Sequence, residues 1–217
     1  QGRNAVFLFG SELKALRVHP GFDAAIDRNS LSGYMQRMTV VGNSSIYEGI
    51  HKVPPGSILV VSNETREPVV RNYWSVSTTL EQGIAQPFTG SAELAVDALD
   101  ELLKRAIGRQ MLADVPLGAF LSGGVDSSTI AALMQVQSSR PVKTFSIGFE
   151  EDTYNEAEHA KQVAAHLGTD HTEMYVTAKQ AMDLIPRLPT VYDEPFADSS
   201  QIPTFLLSQM TRKHVTV

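Results

Sequence analysis

Seven consecutive residues carry the strongest chemical signal in this sequence. They are Ser122–Ser128 (SGGVDSS), and they join an apolar segment, Leu117–Leu121, to a segment with helical character. Two adjacent glycines let the backbone turn sharply and bring its N–H groups close to an anion. Serine hydroxyls add donors, and the start of the following helix directs N–H groups and a positive dipole end to the same place. The pattern predicts a loop that binds an anion such as phosphate.

Asp126 lies within this loop, where a carboxylate would repel a phosphate unless a cation lay between them. Mg²⁺ is commonly held by carboxylates together with phosphate oxygens, so Asp126 is a candidate magnesium ligand. The candidate phosphate-binding residues are Ser122, Gly123, Gly124, Asp126, Ser127 and Ser128.

Residues 122–128 do not match two other glycine-containing motifs, the Walker A loop and the nucleophile elbow. A Walker A loop ends in Gly-Lys followed by Ser or Thr, and no lysine is near this segment. A nucleophile elbow has a glycine two residues before its serine, whereas Phe120 precedes Ser122 at that distance. The structural alternative is a plain glycine–serine turn between a strand and a helix.

The elements around the loop alternate between strand and helix. The apolar spacing predicts strands over 117–121, 142–149 and 171–176 and helices over 91–110 and 128–137. This alternation predicts an α/β fold, with a parallel sheet and helices on both faces. Ligands bind such sheets at the carboxyl ends of the strands, which is where the loop follows its strand.

The first third of the chain has a different, β-rich and irregular pattern. Ser57–Val61 and Pro68–Trp74, divided by a polar stretch, predict a hairpin. Thr, Gln, Gly and Pro become common from Ser77 to Gly90, which predicts a linker. The sequence thus predicts one domain over 1–76, a linker over 77–90 and a second domain over 91–217.

Composition narrows the class of protein. The 217 residues include 18 basic and 24 acidic side chains, for a formal charge of −6, and no cysteine. No basic run favours nucleic acid, and no apolar stretch approaches the roughly 20 residues of a membrane span. Without cysteine, disulfides, thiolate metal sites and a cysteine nucleophile are excluded within this chain. We expect a cytoplasmic enzyme or binding protein with neither nucleic acid nor a membrane as partner.

The loop and its surroundings resemble those of a known family. Ser122–Ser128 resembles the PP-loop of the ATP pyrophosphatases, and its flanks resemble the glutamine-hydrolysing asparagine synthetases within them. The flanking similarity lies in 114–121 (DVPLGAFL), 144–148 (TFSIG), 192–200 (YDEPFADSS) and, upstream, 9–16 (FGSELKAL). The resemblance implies an adenine nucleotide alpha hydrolase-like domain, preceded by the C-terminal part of an Ntn-type glutaminase domain (type 2 glutamine amidotransferase).

The resemblance also implies a reaction. The family converts aspartate to asparagine through β-aspartyl-AMP, using ATP with Mg²⁺ and ammonia from glutamine. Small-molecule partners would be ATP, aspartate and, in a full-length protein, glutamine, with homodimerisation left open. The backbone at Phe120 and Ile147 would flank adenine. The acidic residues Asp193, Glu194 and Asp198 would lie near the acyl acceptor or Mg²⁺, with a solvated, helix-capping loop as the alternative.

Two features of the family are missing here. Its glutaminase nucleophile is an N-terminal cysteine, whereas this chain starts at Gln1 and has none. Its acidic, glycine-rich segment follows the acidic loop, whereas this chain ends at Val217 in what reads as a new strand. We therefore expect an internal fragment that holds neither complete active site and does not hydrolyse glutamine alone. An amidotransferase acting on another carboxylate, such as a β-lactam precursor or a surface-polysaccharide sugar acid, and a non-catalytic nucleotide-binding domain remain as alternatives.

Overall fold

The computed structural model describes residues 6–62, 67–149 and 157–217. These residues divide into two compact units, the first within Gln1–Phe88 and Pro186–Asp198 and the second within Thr89–Ile185 and Ser199–Val217. The elements of the first unit are α1 (Leu13–Arg17), α2 (Arg28–Arg37), β1 (Ser57–Val60), β2 (Val69–Asn72), α3 (Val76–Ala85) and, later in the chain, α8 (Leu188–Val191). The elements of the second are α4 (Ala92–Gln110), β3 (Gly118–Phe120), α5 (Val125–Gln137), β4 (Lys143–Phe149), α6 (Ala157–Leu167), β5 (Asp170–Val176), α7 (Ala178–Leu184) and α9 (Gln201–Thr211).

The predicted hairpin in the first unit is present. β1 and β2 pair in antiparallel register, with Ser57 opposite Asn72 and Val60 opposite Val69. Gly56 begins the hairpin with a φ of 68°. A Cβ on this residue would collide with the Trp74 carbonyl, so the close approach requires glycine.

Residues 76–85 form a helix, although their composition predicts a linker. The Ser75 side chain accepts a hydrogen bond from the Thr78 N–H and so caps α3. Val76, Leu80 and Ile84 recur every four residues and form one apolar stripe on it. The cap and the stripe together favour the helix over the turn-forming tendency of the intervening polar residues.

The second unit contains the expected parallel sheet. β3 pairs with β4 and β4 with β5, all parallel, so that Phe120 lies opposite Phe145 and Phe145 opposite Thr172. The other edge of β3 bonds to the C-terminal residues, because the Gly118 N–H donates to the Val217 carbonyl at 2.8 Å. The Val217 N–H in turn lies 3.3 Å from the Pro116 carbonyl, as in a parallel ladder. β3 therefore has neighbours on both sides.

Helices cover both faces of this sheet. On one face, α5 and α6 pack Ala131, Ala160 and Ala164 around Leu121, and small side chains allow the helices to approach closely. On the other face, α9 buries Leu207 and Met210 against Phe145 of β4. The α/β fold with helices on both faces is confirmed. Within the described ranges, none of the helices is long and apolar enough to cross a membrane.

Candidate functional site

The glycine–serine loop leaves the sheet at the carboxyl end of β3. Leu121 is fully buried, and its N–H donates to the Phe145 carbonyl at 2.8 Å, which is the last bond between the two strands. From β3 the chain crosses to β4 on one side, and its C-terminal residues return to the opposite side. The C-terminal residues and β4 therefore lie along opposite edges of β3. Open α/β sheets bind their ligands in the crevice outside the carboxyl ends of the strands.

Gly123 fixes the path of the loop. Its φ is +78°, in the left-handed region that favours glycine. Its Cα also lies against the first turn of α6, where an added Cβ would stand 2.8 Å from His159 Cβ and 2.9 Å from the Ala160 nitrogen. No other residue fits here without displacing backbone.

Hydroxyl groups hold the rest of the loop in shape. Ser122 Oγ and Ser127 Oγ lie 2.9 Å apart, and the Ser122 N–H donates to Ser127 Oγ at 3.2 Å. Ser127 Oγ also donates to the Gly124 carbonyl at 3.2 Å. These bonds order the loop, so its donors are preorganised.

The N-terminus of α5 faces this loop without a side-chain cap. Gly124 is the N-cap residue, and the Ser128 N–H makes the first helical bond, to the Gly124 carbonyl at 3.0 Å. The N–H groups of Val125, Asp126 and Ser127 precede that bond and have no acceptor within the helix. A 13-residue helix that begins in this way presents an N-terminal positive end to an anion.

Ser128 lies in the first turn of α5 and provides a further, independent observation. Its Oγ is buried and has no hydrogen-bond partner among the residues that the structure describes. Buried polar atoms in native proteins almost always have partners, so this hydroxyl fits a site where a bound group supplies one. A phosphate oxygen is such an acceptor.

Asp126 lies in the first turn of α5 and is exposed to solvent. No three histidine or acidic side chains cluster anywhere in the described ranges in a way that could hold a metal ion. Mg²⁺ typically takes one or two carboxylates and completes its octahedron with phosphate oxygens and water. A single exposed carboxylate beside a phosphate-binding loop fits that mode of binding.

Phe120 and Ile147 lie on neighbouring strands at the same end of the sheet. Ile147 follows Phe145 by two residues, and Phe145 accepts the last bond from β3. Alternate residues of a strand direct their backbone groups to the same side, so the N–H and C=O of Ile147 point past the end of β3. The Ile147 side chain packs against the cluster under α9. This leaves a backbone edge beside the loop.

Asp193 and Glu194 lie in the first unit and contact its lysines. Asp193 Oδ1 lies 3.1 Å from Lys14 Nζ, and its Oδ2 accepts the Lys14 N–H at 3.1 Å. Glu194 Oε2 lies 2.7 Å from Lys52 Nζ, and its Oε1 accepts the Ile46 N–H at 2.7 Å. Asp198, also in the first unit, is exposed.

The pKa shifts of Lys14 and Asp193 have the directions expected for an ion pair. Burial raises the pKa of Asp193, but the N–H and ammonium of Lys14 outweigh it and hold that pKa below its ordinary value of 3.8. Hydrogen bonds to Glu12 and then to Asp193 raise the pKa of Lys14 above 10.5. Both side chains are therefore charged at neutral pH. Lys14 and Lys52 carry no local sequence signal for these contacts, since Lys14 and Asp193 are 179 positions apart.

His171 forms part of a polar cluster within the sheet. Its Nδ1 lies 2.9 Å from Thr144 Oγ1 and its Nε2 lies 3.1 Å from Ser146 Oγ. Burial lowers the pKa of His171, because desolvation penalises the charged imidazolium. Both ring nitrogens of His171 therefore have partners within the sheet, as in a structural histidine.

Sequence models of two known protein families match this chain, each over a different range of residues. The sequence model of the family described as Asparagine synthase matches residues 98–217, which is more than half of the chain. The model described as Glutamine amidotransferase domain matches residues 1–74.

Several curated proteins are similar over most of the chain. Glutamine-hydrolyzing asparagine synthetase 1 of Bacillus subtilis is 30% identical over 209 residues, which are 96% of this chain and 32% of that protein. Glutamine-hydrolyzing asparagine synthetase 3 of the same organism is 30% identical over 204 residues, covering 87% of this chain and 32% of its own length. The human glutamine-hydrolyzing asparagine synthetase is 32% identical over 121 residues, 52% of this chain and 21% of its own. The chain spans about a third of the length of the two bacterial relatives. Because the family match covers more than half of its residues, the chain belongs to the asparagine synthase family.

Proposed function

We propose that the protein containing this chain is an ATP-dependent ligase that makes asparagine from aspartate, with ammonia drawn from glutamine. One observation carries the proposal: a preorganised glycine–serine loop stands at the carboxyl end of β3 in a chain of the asparagine synthase family. The names of the similar bacterial and human proteins support the reaction. A division into residues 1–76, a linker over 77–90 and residues 91–217 accords with the two family matches.

In this proposal the loop binds the pyrophosphate part of ATP. The aspartate side-chain carboxylate attacks the α-phosphorus, the bond between the α-phosphorus and the bridging oxygen breaks, and pyrophosphate leaves. Negative charge grows on the leaving group, and the preorganised N–H groups at the start of α5 stabilise it. The residues that hold it are Ser122, Gly123, Gly124, Asp126, Ser127 and Ser128.

Asp126 would take part in binding the nucleotide through the metal. Bound Mg²⁺ would supply positive charge between this carboxylate and the phosphate oxygens. Ser128 would donate its buried hydroxyl to a phosphate oxygen and so lose its unpaired state. The serine pair, Ser122 and Ser127, would keep the loop in the shape that the anion requires.

Adenine would lie at the backbone edge beside the loop, flanked by Phe120 and Ile147. A strand edge offers one N–H donor and one C=O acceptor, which match the donor and acceptor on an adenine edge. This arrangement needs no particular side chain, only apolar surface against the ring. The N–H and C=O of Ile147, directed past the end of β3, support this placement.

The test is aspartate-dependent exchange of labelled pyrophosphate into ATP by the full-length protein that contains this chain. We expect exchange that requires both aspartate and Mg²⁺ and that falls sharply in Asp126→Asn. Exchange that requires a different carboxylate would overturn aspartate as the substrate while leaving the ATP site in place. Absence of ATP binding altogether would overturn the assignment of the loop.

A further inference from the structure

Four polar side chains form a hydrogen-bonded row along β4 and β5, named here the polar row: Thr169, Thr144, His171 and Ser146. The Thr144 hydroxyl lies 2.8 Å from Thr169 Oγ1 and 2.9 Å from His171 Nδ1, and His171 Nε2 lies 3.1 Å from Ser146 Oγ. Phe145, between two of these residues, packs against α9, so the row lies on the opposite face of the sheet. Thr144 is fully buried and Ser146 is 2% exposed, so both hydroxyls depend on partners within the protein. The imidazole of His171 is a partner of both.

One arrangement of protons gives every hydroxyl in the polar row an acceptor. Thr169 Oγ1 donates to the Ala164 carbonyl at 3.5 Å. Thr144 then donates to Thr169 and accepts from His171 Nδ1, and Ser146 donates to His171 Nε2. This arrangement requires a neutral imidazole, and burial favours the neutral form because it lowers the pKa of His171. The ring is thus held by one donated and one accepted hydrogen bond.

The polar row lies where the ladder between β3 and β4 ends. That ladder ends with Phe120 opposite Phe145, whereas the ladder between β4 and β5 continues to Phe149 opposite Val176. In the ladders of the described residues, β5 is therefore the strand that pairs with β4 from Ser146 onward. The position of this end of β4 depends on its contacts with β5.

Ser146 shares a peptide group with Ile147. The Ser146 carbonyl and the Ile147 N–H lie in one rigid plane and point in opposite directions. Since the Ile147 N–H points past the end of β3, the Ser146 carbonyl points towards β5. The Ser146 hydroxyl is bonded to β5 as well, through His171. The ladder and the hydroxyl together therefore set the angle at which the Ile147 N–H is presented.

We propose that His171 is a positioning residue for the nucleotide, because it holds Ser146 and so fixes the backbone of Ile147 at the angle that adenine recognition requires. The inference rests on the proposed function, in which adenine binds at this backbone edge. In this role His171 acts through Ser146 and needs no contact with the nucleotide.

This role separates the two ends of the ligand. In the proposed function, pyrophosphate binds to the loop after β3, which is shaped by its own serine contacts and by Gly123. Adenine binds instead at the end of β4. Loss of the bond between His171 and Ser146 should therefore weaken ATP binding and leave pyrophosphate binding intact. A general loss of structure would weaken the binding of both ligands.

The experiment measures the affinities of the full-length protein for Mg²⁺–ATP and for Mg²⁺–pyrophosphate by calorimetry. His171→Gln and His171→Asn are compared, because the glutamine amide reaches the position of Nε2 and the asparagine amide that of Nδ1. Glutamine therefore keeps the bond to Ser146, and asparagine loses it. Ser146→Ala deletes the other partner of the same bond, and this small change gives an answer even where replacement of the histidine prevents folding. His166→Asn is the matched control, because this second histidine is exposed on α6.

We expect His171→Asn and Ser146→Ala each to weaken ATP binding about fivefold, the effect of one hydrogen bond, with pyrophosphate binding unchanged within about twofold. His171→Gln and His166→Asn should bind both ligands as the unchanged protein does. Unchanged ATP binding by the asparagine and alanine variants, or equal weakening of both ligands, would overturn the positioning role. Neither titration contains aspartate, so a different acyl substrate would leave this result readable. A full-length protein that binds neither ligand would overturn the proposed function and this role with it.

Discussion

Gly123→Ala tests the geometry of the phosphate loop most sharply. An L-residue at a φ of +78° costs roughly 1–2 kcal/mol relative to its favoured regions. The new Cβ would also stand 2.8 Å from His159 Cβ and 2.9 Å from the Ala160 nitrogen. Overpacking of this kind costs about 1–3 kcal/mol. Since alanine also stiffens the unfolded chain, which stabilises the fold by roughly 0.4–1 kcal/mol, the expected net loss is about 1–4.5 kcal/mol.

The loss should appear in the second unit. Native-state hydrogen exchange of the β4 amides reports its free energy of unfolding, and Mg²⁺–ATP titration reports the loop. Gly124→Ala is the matched control, because its φ is −73° and an added Cβ would meet only Ser122 Oγ, at 3.4 Å. Its effect on stability should stay within about 1 kcal/mol. Equal stability effects of the two variants would refute the close packing of Gly123 against α6.

Three further predictions concern charged groups. Asp126→Asn should weaken Mg²⁺–ATP binding about tenfold or more by calorimetry, while stability changes by less than about 1 kcal/mol because the side chain is exposed. Burial depresses the pKa of His171. The stabilisation that His171 contributes is therefore complete above pH 6.5 and declines as the pH falls below that value. His171→Gln should flatten that decline in urea midpoints measured between pH 7.5 and pH 5, and an unchanged slope would contradict it. The pKa of Asp193 is depressed below 3.8. The stabilisation that Asp193 contributes is therefore complete above pH 3.8 and is lost as the pH falls through the pKa of the folded state. Asp193→Asn should remove the acid-dependent loss of exchange protection in residues 186–198, and a retained loss would argue against the pairing with Lys14.

The sheet could be predicted from the sequence because its signals are local. Apolar runs predict strands over 142–149 and 171–176, and the structure has them at Lys143–Phe149 and Asp170–Val176. Ser91 caps α4 as predicted by accepting the Leu94 N–H at 3.3 Å. The helix predicted to begin at Ser128 instead begins at Val125. Its N-cap is Gly124, which has no side chain to mark the start.

Helix α3 shows where composition misleads. Thr and Gly have low helix propensity, and Gly and Pro are common in turns, so residues 77–90 predict a linker. The Ser75 cap and the spacing of Val76, Leu80 and Ile84 were present in the sequence and favour Val76–Ala85 as a helix. Periodicity outweighs composition in this segment.

The surroundings of the acidic residues could not be predicted. Spacing in the sequence says nothing about a lysine 179 positions away, so Asp193 was assigned only through the family resemblance. Contacts of this range depend on how the whole chain folds back on itself. The role of Asp193, Glu194 and Asp198 at an acceptor site stays a prediction, and the pairing of Asp193 and Glu194 with Lys14 and Lys52 offers a structural role instead.

Binding of the pyrophosphate part of Mg²⁺–ATP by Ser122–Ser128 can be measured by calorimetric competition in the full-length protein. Mg²⁺–ATP is titrated in the absence and presence of saturating Mg²⁺–pyrophosphate. We expect that pyrophosphate binds and excludes ATP, and that Ser128→Ala weakens the binding of both ligands in parallel. Binding of ATP that is indifferent to pyrophosphate, or equally tight binding by the Ser128→Ala variant, would contradict it.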